Sequence, residues 1–305
     1  MSHVLVIGAS SVDVKGRAGR PLQAGTSVPG DITLSFGGVA RNVAENLARL
    51  GQTAVLLSAV GSDPFGADIL ERTGGAGVDV SRIIVGADYH SSAYLAILDD
   101  HGAKAYAVDE MATVMNLITP AYIYANRTQF KDAVMLVLDA NLSASATATA
   151  IRMAKRSGLP VAMDPTSATL APNLEAHLED LFMVTPNIAE AEVLCGHRIQ
   201  GRSEALEAAQ QLVGRGTQFV IVTLGEEGLC YATSQESGYV PAIRCDVIDL
   251  TGAGDALTAA VVFGWVHGFS AGEAARLGVS AATMTLKCSD TVCQDLSLER
   301  LYDQL

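Results

Sequence analysis

At 305 residues the chain is long enough to bury a large core, as one big α/β domain or two smaller ones. Apolar residues make up 49% and charged residues 17%, which excludes a disordered chain. A net charge of −13 excludes a nucleic-acid partner, because a phosphate backbone calls for a basic patch, although local donors could still hold a small phosphate ligand.

Residues 1–8 carry no basic segment and no long apolar run, so they read as a buried strand ending in Gly8 and not as a targeting signal. A dinucleotide fold would continue with G-x-G-x-x-G; the chain continues Ala9-Ser10-Ser11-Val12-Asp13, which lacks it. Asp13 lies just past the strand's carboxyl end, where open α/β sheets place ligands, although a solvated loop Asp fits as well. Residues 16–35 read as an extended flap. Gly37 and Gly38 then open a helix with an apolar stripe of Val43, Leu47 and Leu50, ended by Gly51. The glycines allow close backbone approach to a ligand, and Asn42 in the first turn faces the same place.

Residues 53–60 predict a second buried strand. Asp63 and Pro64 form a helix start, and Gly74–Gly77 a helix stop. Residues 91–98 and 103–108 flank Asp99-Asp100-His101-Gly102 and predict a hairpin that breaks the strand–helix rhythm. With the flap it could form a small separate sheet over a site. Residues 134–139 are another buried strand, with Asn141 just past its end, followed by a helix over 145–157 and strands over 161–164 and 182–185. Asn187 and Glu190 sit three apart at the next helix start. An amide and a carboxylate there suit a hydrated Mg²⁺ and phosphate oxygens; an ordinary first turn stabilised by Glu explains the pair equally well. Ser203 reads as an N-cap with Glu204 and Glu207 in the first turn. A strand over 219–223 exits into Leu224-Gly225-Glu226-Glu227-Gly228, and residues 229–232 and 239–245 resemble edge strands.

Asp249-Leu250-Thr251-Gly252-Ala253-Gly254-Asp255 then leads into the apolar run 256–269, which reads as a helix buried on all sides. Thr258 and His267 interrupt that run, and it falls short of a membrane span. Small residues at a helix start turn free N–H groups toward one point, and the helix dipole favours an anion there. A carboxylate beside such a point suits phosphoryl transfer: the donors neutralise developing charge while Asp255 accepts a proton from an attacking hydroxyl. By itself G-x-G-D also fits a glycine-rich turn capped by Asp. Residues 271–286 form a last long helix able to pack close against this one. The five cysteines, Cys195, Cys230, Cys245, Cys288 and Cys293, contain no C-x-x-C and read as reduced thiols of a cytosolic protein. The histidine spacings suggest no zinc site, and neither a membrane nor a nucleic-acid partner is expected.

Together these pieces resemble the ribokinase-like (PfkB) carbohydrate kinase family over essentially the whole chain. The first signature appears as Gly37-Gly38-Val39-Ala40-Arg41-Asn42-Val43-Ala44 with Gly51 and Gly61, and the second as 249–255 with Ala259-Ala260. Asn187-x-x-Glu190 and Thr223-Leu224-Gly225-x-x-Gly228 match two further family motifs, in the same order along the chain. The resemblance implies an α/β fold: a ribokinase-like three-layer αβα sandwich, a mostly parallel central sheet and a small β lid. It implies a single domain, 1–305, with lid segments at about 14–36 and 90–109. By position, Asp255 resembles the catalytic base and Gly252, Ala253 and Gly254 the anion hole. Asp13, Gly37, Gly38 and Asn42, with Asn141 nearby, resemble substrate residues. Asn187, Thr223, Gly225 and Gly228 resemble ATP residues, Glu190 a Mg²⁺ residue, and Asp249 the residue that in some members helps hold K⁺. A homodimer through the lid is also implied. Within the family, stretches 36–47, 57–63, 92–102 and 284–297 are similar to members acting on pseudouridine, and Val39 stands where free-ribose kinases usually carry Lys. The implied reaction is ATP-dependent phosphorylation of a ribosyl 5′-hydroxyl, with pseudouridine first and ribose, another nucleoside or 2-keto-3-deoxygluconate as alternatives. A non-catalytic nucleotide or sugar sensor is the alternative of another class.

Overall fold

The computed structural model describes residues 2–305; Met1, which the sequence reading joined to the first strand, lies outside them. In chain order the strands are β1 (His3–Ile7), β2 (Ser11–Ala18), β3 (Gly30–Gly37), β4 (Ala54–Leu57), β5 (Ala59–Gly61), β6 (Ile84–Gly86), β7 (Ser92–Leu98), β8 (Lys104–Glu110), β9 (Ala133–Asp139), β10 (Val161–Asp164), β11 (Met183–Val184), β12 (Phe219–Thr223), β13 (Gly228–Thr233) and β14 (Ser237–Pro241). The helices are α1 (Val39–Arg49), α2 (Pro64–Gly75), the short α3 (Ala112–Met115), α4 (Pro120–Ala125) and α5 (Gln129–Asp132), then α6 (Ala144–Ser157), α7 (Ile188–Cys195), α8 (Gly201–Gly214), α9 (Ala253–Val266), α10 (Ala271–Leu286) and α11 (Leu298–Tyr302).

Eight strands form the main sheet in the order β14-β13-β12-β11-β10-β9-β1-β4. The six from β12 to β4 run parallel, and β13 and β14 add antiparallel at one side. Strand alternation gives each face its own core. Leu5 and Ile7 of β1 join one apolar cluster with α6, α7 and α8, while Val4 and Val6 join the other with α1, α9 and α10. Each buried Val, Leu or Ile contributes about 1.5–3 kcal/mol, so a sheet covered on both faces supplies the main driving force. The result is the three-layer α/β arrangement expected from the sequence.

α9 is buried along Ala256–Gly264 because it is enclosed between α1 and α10. Small residues allow that approach: a Cβ added at Gly278 of α10 would sit 2.8 Å from Val261 Cγ2. No helix among the described residues is long and apolar enough to cross a membrane.

A second sheet, in the order β3-β2-β7-β8, stands apart from the first. β2 pairs antiparallel with β3, placing Asp13 opposite Ser35, and parallel with β7, placing it opposite Tyr94. The sheet is anchored by buried Val12 and Phe36, yet Ile32, Leu34, Leu95, Ile97, Tyr106 and Val108 are exposed.

Several local expectations are corrected. The strand expected over 53–60 divides at Ser58, whose Oγ donates to Gly8 O at 2.7 Å; β4 stays in the main sheet and β5 pairs with β6. Asp13 belongs to β2 and not to a loop. The cap of α8 is Gln200, because Gly201 with φ 73° starts the helix two residues before Ser203. Of the two strands expected at an edge, β13 is interior and β14 lies at the edge. Cys288 and Cys293 form a disulfide across the turn after α10, which corrects the reading of five reduced thiols.

Candidate active site

The main sheet changes direction between β1 and β9: from β1 the chain moves to β4 on one side, while β9 to β12 fill the other. Carboxyl ends of strands leave a crevice at such a point. Asp139, the last residue of β9, is fully buried there. Its Oδ2 accepts from the Ala9 N–H at 2.7 Å and the Ala40 N–H at 3.1 Å, joining the end of β1 to the start of α1. A Cβ on Gly8 would fall 2.2 Å from that oxygen, so only glycine fits. Burial pushes the Asp139 carboxyl above its ordinary range, against the pull of the backbone donors.

The residues expected to face a sugar gather beside this joint. Asp255 is the third residue of α9, and its Oδ2 accepts from Asn42 Nδ2 at 2.7 Å. Asn42 is oriented in turn: its Oδ1 accepts from Arg41 Nη1 at 2.8 Å and from Thr291 Oγ1 at 3.4 Å. Arg41 is buried and also donates to Phe36 O and to Glu45. Burial is the main force on Asp255. With the nearby charges of Asp139 and Asp13 it outweighs the Asn42 hydrogen bond and the Arg41 charge, and its pKa is pushed up to about 7. Asp13 is buried and displaced upward for the same first reason. Gly37 lets Asp13 come close, since a Cβ there would lie 2.6 Å from Asp13 Oδ1. Gly38, at φ 92°, caps α1 where a Cβ would meet Ala9 O at 2.4 Å.

The turn expected to hold an anion is shaped by Gly252, at φ 84°, which caps α9. A Cβ at Gly252 would be 1.9 Å from Thr291 O, so the turn rests directly on the loop closed by the disulfide. The first intrahelical backbone bond runs from Ala256 N to Gly252 O. The amides of Ala253, Gly254 and Asp255 precede it, leaving donors with no intrahelical acceptor at the positive end of the dipole.

A second group lies at the ends of β11 and β12. Asn187 caps α7 in a capping box: its side-chain oxygen accepts from Glu190 N at 3.0 Å, and its own N–H donates to Glu190 Oε2 at 2.9 Å. Asn187 Nδ2 also donates to Glu190 Oε1 at 2.7 Å. Burial raises the Glu190 carboxyl against these donors. An isolated parallel bridge joins Asn187 to Thr223. Gly225 (φ 59°) and Gly228 (φ 105°) bracket the following turn, and a Cβ at Gly228 would strike Val240 O at 2.2 Å. Between the two groups sits buried Asp164, the end of β10, raised well above its ordinary range first by burial and then by the charges of Asp255 and Glu190. Thr185 and Thr258 hydroxyls lie 3.4 Å from its Oδ2.

Two expected residues are engaged elsewhere. Asn141 turns back on Asp139, with Nδ2 donating to Oδ1 at 3.1 Å. Asp249, expected to hold K⁺, is paired instead with Lys15 Nζ at 2.6 Å. Among the described residues no cluster of three or more His, Cys, Asp or Glu could hold a metal outright. Both Glu190 oxygens and Asn187 Oδ1 are taken up in the capping box, so this buried pair would hold a hydrated Mg²⁺ through its waters, where the ion would neutralise phosphate charge. A cavity of about 490 Å³ lined by Arg41, Arg72 and Thr291 adjoins the site from behind but includes none of Asp13, Asn187 or Asp255. The sequence reading gave no site role to Lys15, Arg41, Asp139, Asp164 and Thr291, although Arg41 stood inside the first signature and Thr291 inside the stretch 284–297 that it quoted.

The family model described as pfkB family carbohydrate kinase matches residues 1–295. The pseudouridine kinase of Escherichia coli (strain K12) is 35% identical over 297 residues, covering 97% of this chain and 94% of its own. A carbohydrate kinase from Agrobacterium tumefaciens superposes with a TM-score of 0.86 at 28% identity, over 100% of this chain and 97% of its own. The Arabidopsis thaliana ribokinase complexed with ribose and ATP superposes at 0.83 with 20% identity, covering 100% and 99% of the two chains, a likeness of fold. The chain belongs to the pfkB carbohydrate kinase family.

Proposed function

We propose that this pfkB-family carbohydrate kinase transfers the γ-phosphoryl group of ATP to the 5′-hydroxyl of a ribosyl nucleoside, pseudouridine first among the candidates. One observation carries the chemistry: a carboxylate with a pKa near 7, Asp255, held by Asn42 at the first turn of a helix whose leading amides are free of intrahelical bonds. A base of that strength accepts a proton from an alcohol as the alcohol attacks, and returns it to water near neutral pH. Gly252, Ala253 and Gly254 supply amide donors to the charge that develops on the phosphoryl oxygens. Asp13, Gly37, Gly38 and Asn42 hold the sugar hydroxyls. Thr223, Gly225 and Gly228 lie against the nucleotide, and Asn187 with Glu190 holds the hydrated Mg²⁺, which neutralises phosphate charge when bound. The four-stranded sheet acts as a lid that excludes water, with β2 carrying Asp13 into the cleft.

The nucleoside preference rests on the 35% identical pseudouridine kinase and on Val39, half-buried at the first position of α1, an apolar contact suited to a base. Six exposed apolar lid residues, Ile32, Leu34, Leu95, Ile97, Tyr106 and Val108, favour a homodimer through that face. Use of ATP favours the cytoplasm as the site of the reaction.

The test is phosphate transfer from ATP with Mg²⁺ to a panel of pseudouridine, uridine, inosine, ribose and 2-keto-3-deoxygluconate. Label on pseudouridine is the expected result. Transfer to ribose alone moves the substrate assignment, and ligand binding without ADP release turns the kinase reading into a sensor.

A further inference from the structure

Lys15 lies two residues beyond Asp13 in β2, so strand alternation presents both on one face of the lid. Its Nζ donates to Asp249 Oδ2 and to Thr251 Oγ1, each at 2.6 Å. The Lys15 and Asp249 side chains keep only 15% and 25% of their exposure. The other carboxylate oxygen of Asp249 accepts from the Thr251 N–H at 2.8 Å. The three side chains thus close a small network across 234 residues of sequence, joining the lid to the turn that becomes Gly252 and α9. Burial disfavours the Asp249 charge, but the donors from Lys15 and Thr251 outweigh it and hold the carboxyl below its ordinary range.

A monovalent cation at Asp249 does not fit this arrangement. Oδ2 already faces an ammonium, Oδ1 already accepts an amide, and a second cation in contact with the same carboxylate would stand against the first.

We propose that Lys15 is a positioning residue for phosphoryl transfer: its ammonium takes the place of a soluble monovalent cation at Asp249 and fixes the anion turn when the lid is down. The role rests on the kinase reading above. An ion that diffuses in would order the turn whether the lid is open or closed. A charge carried on β2 orders it only when the lid covers the cleft, so the amide donors are aligned when water is excluded and not otherwise.

Two measurements on the full chain test this. Amide hydrogen exchange, read without substrate, is expected to speed up at residues 249–254 in Lys15→Met and to stay near wild type in Lys15→Arg. Unchanged exchange in Lys15→Met overturns the latch whether or not the protein phosphorylates any acceptor, so its failure is distinct from failure of the kinase reading. In turnover, Lys15→Met is expected to lower kcat roughly tenfold, within the range of coupled charged pairs, with the KM values changed less. Wild type should work equally well in potassium chloride and in tetramethylammonium chloride, while Lys15→Met recovers activity with K⁺ or methylammonium. A wild-type enzyme that stops in tetramethylammonium overturns the proposal. So does a Lys15→Met, Asp249→Asn double variant whose losses simply multiply.

Discussion

The two halves of the crevice hold their charged groups by opposite means. Around half-buried Asp255 stand the buried carboxylates of Asp13 and Asp139, and all three are displaced upward. Their arrangement depends on partners far away in sequence: Asn42, Arg41 and the Thr291 loop. Around Asn187 the polar groups satisfy one another within a single helical turn. In the first half burial presses the carboxylates toward their neutral forms, and the charges of Asp139 and Asp13 add to it at Asp255; the second is a self-contained backbone scaffold. Groups that change charge during a reaction belong in the first kind of setting, and groups that hold a nucleotide in place belong in the second.

Substitutions should separate the halves by size and by kind of effect. Asp255→Asn is expected to lower kcat by at least ~10²-fold while leaving ATP binding nearly intact, measured by steady-state kinetics and calorimetry. Near-normal turnover would break the contrast at its centre. The same residue fixes a pH dependence: kcat/KM should fall about tenfold per unit below pH 7 and level off above it, following the pKa of about 7. Stability has the reverse sign. A folded-state pKa above the unfolded one gives a contribution complete below the ordinary carboxylate range and lost as pH rises through about 7. Asp255→Asn should therefore raise Tm more at pH 8 than at pH 5 in thermal melts. Next in size, Gly252→Ala combines a left-handed backbone, costing about 1–2 kcal/mol, with a collision against Thr291 O, costing about 1–3 kcal/mol. A urea midpoint equal to wild type would mean that the Thr291 loop yields freely. In the other half, Asn187→Ala should cost about 1 kcal/mol of stability as a lost cap and raise the KM for ATP more than it lowers kcat. A kcat loss matching Asp255→Asn would erase the distinction drawn here. The smallest catalytic effect is expected from Ile32→Lys on the exposed lid face, which should halve the mass seen by sedimentation with kcat nearly retained.

The α/β sandwich was legible because its strands are short continuous apolar runs and its helices have clear start and stop residues, as at Asp63 and Gly158. The segment 249–255 was legible because a carboxylate one residue after a G-x-G turn is a local pattern. Asp139 and Asp164 were not. Each is one Asp at the end of an apolar strand, indistinguishable from a solvated loop residue until the sheet order puts β9 beside β1 and β10 beside β11. Lys15 was hidden for the same reason, since its partners lie at the other end of the chain. The break at Ser58 depends on a hydrogen bond to Gly8 that apolar patterning does not encode. Cys288 and Cys293 were visibly close, but an odd total of cysteines weighed against pairing, and only the turn after α10 brings the two together.

The contact between Thr291 O and Gly252 has a consequence for the timing of activity. During synthesis, residue 291 leaves the ribosome only after the core beneath α6, α7 and α8 and every strand of the main sheet have been made, with Cys293, Leu296 and Leu301 of the other core still to come. A nascent chain could therefore assemble its sheet and even admit ligands while the wall behind its reactive turn is still missing. Turnover would begin only once residue 291 has been made and folded back, and products truncated before it should be inert toward ATP.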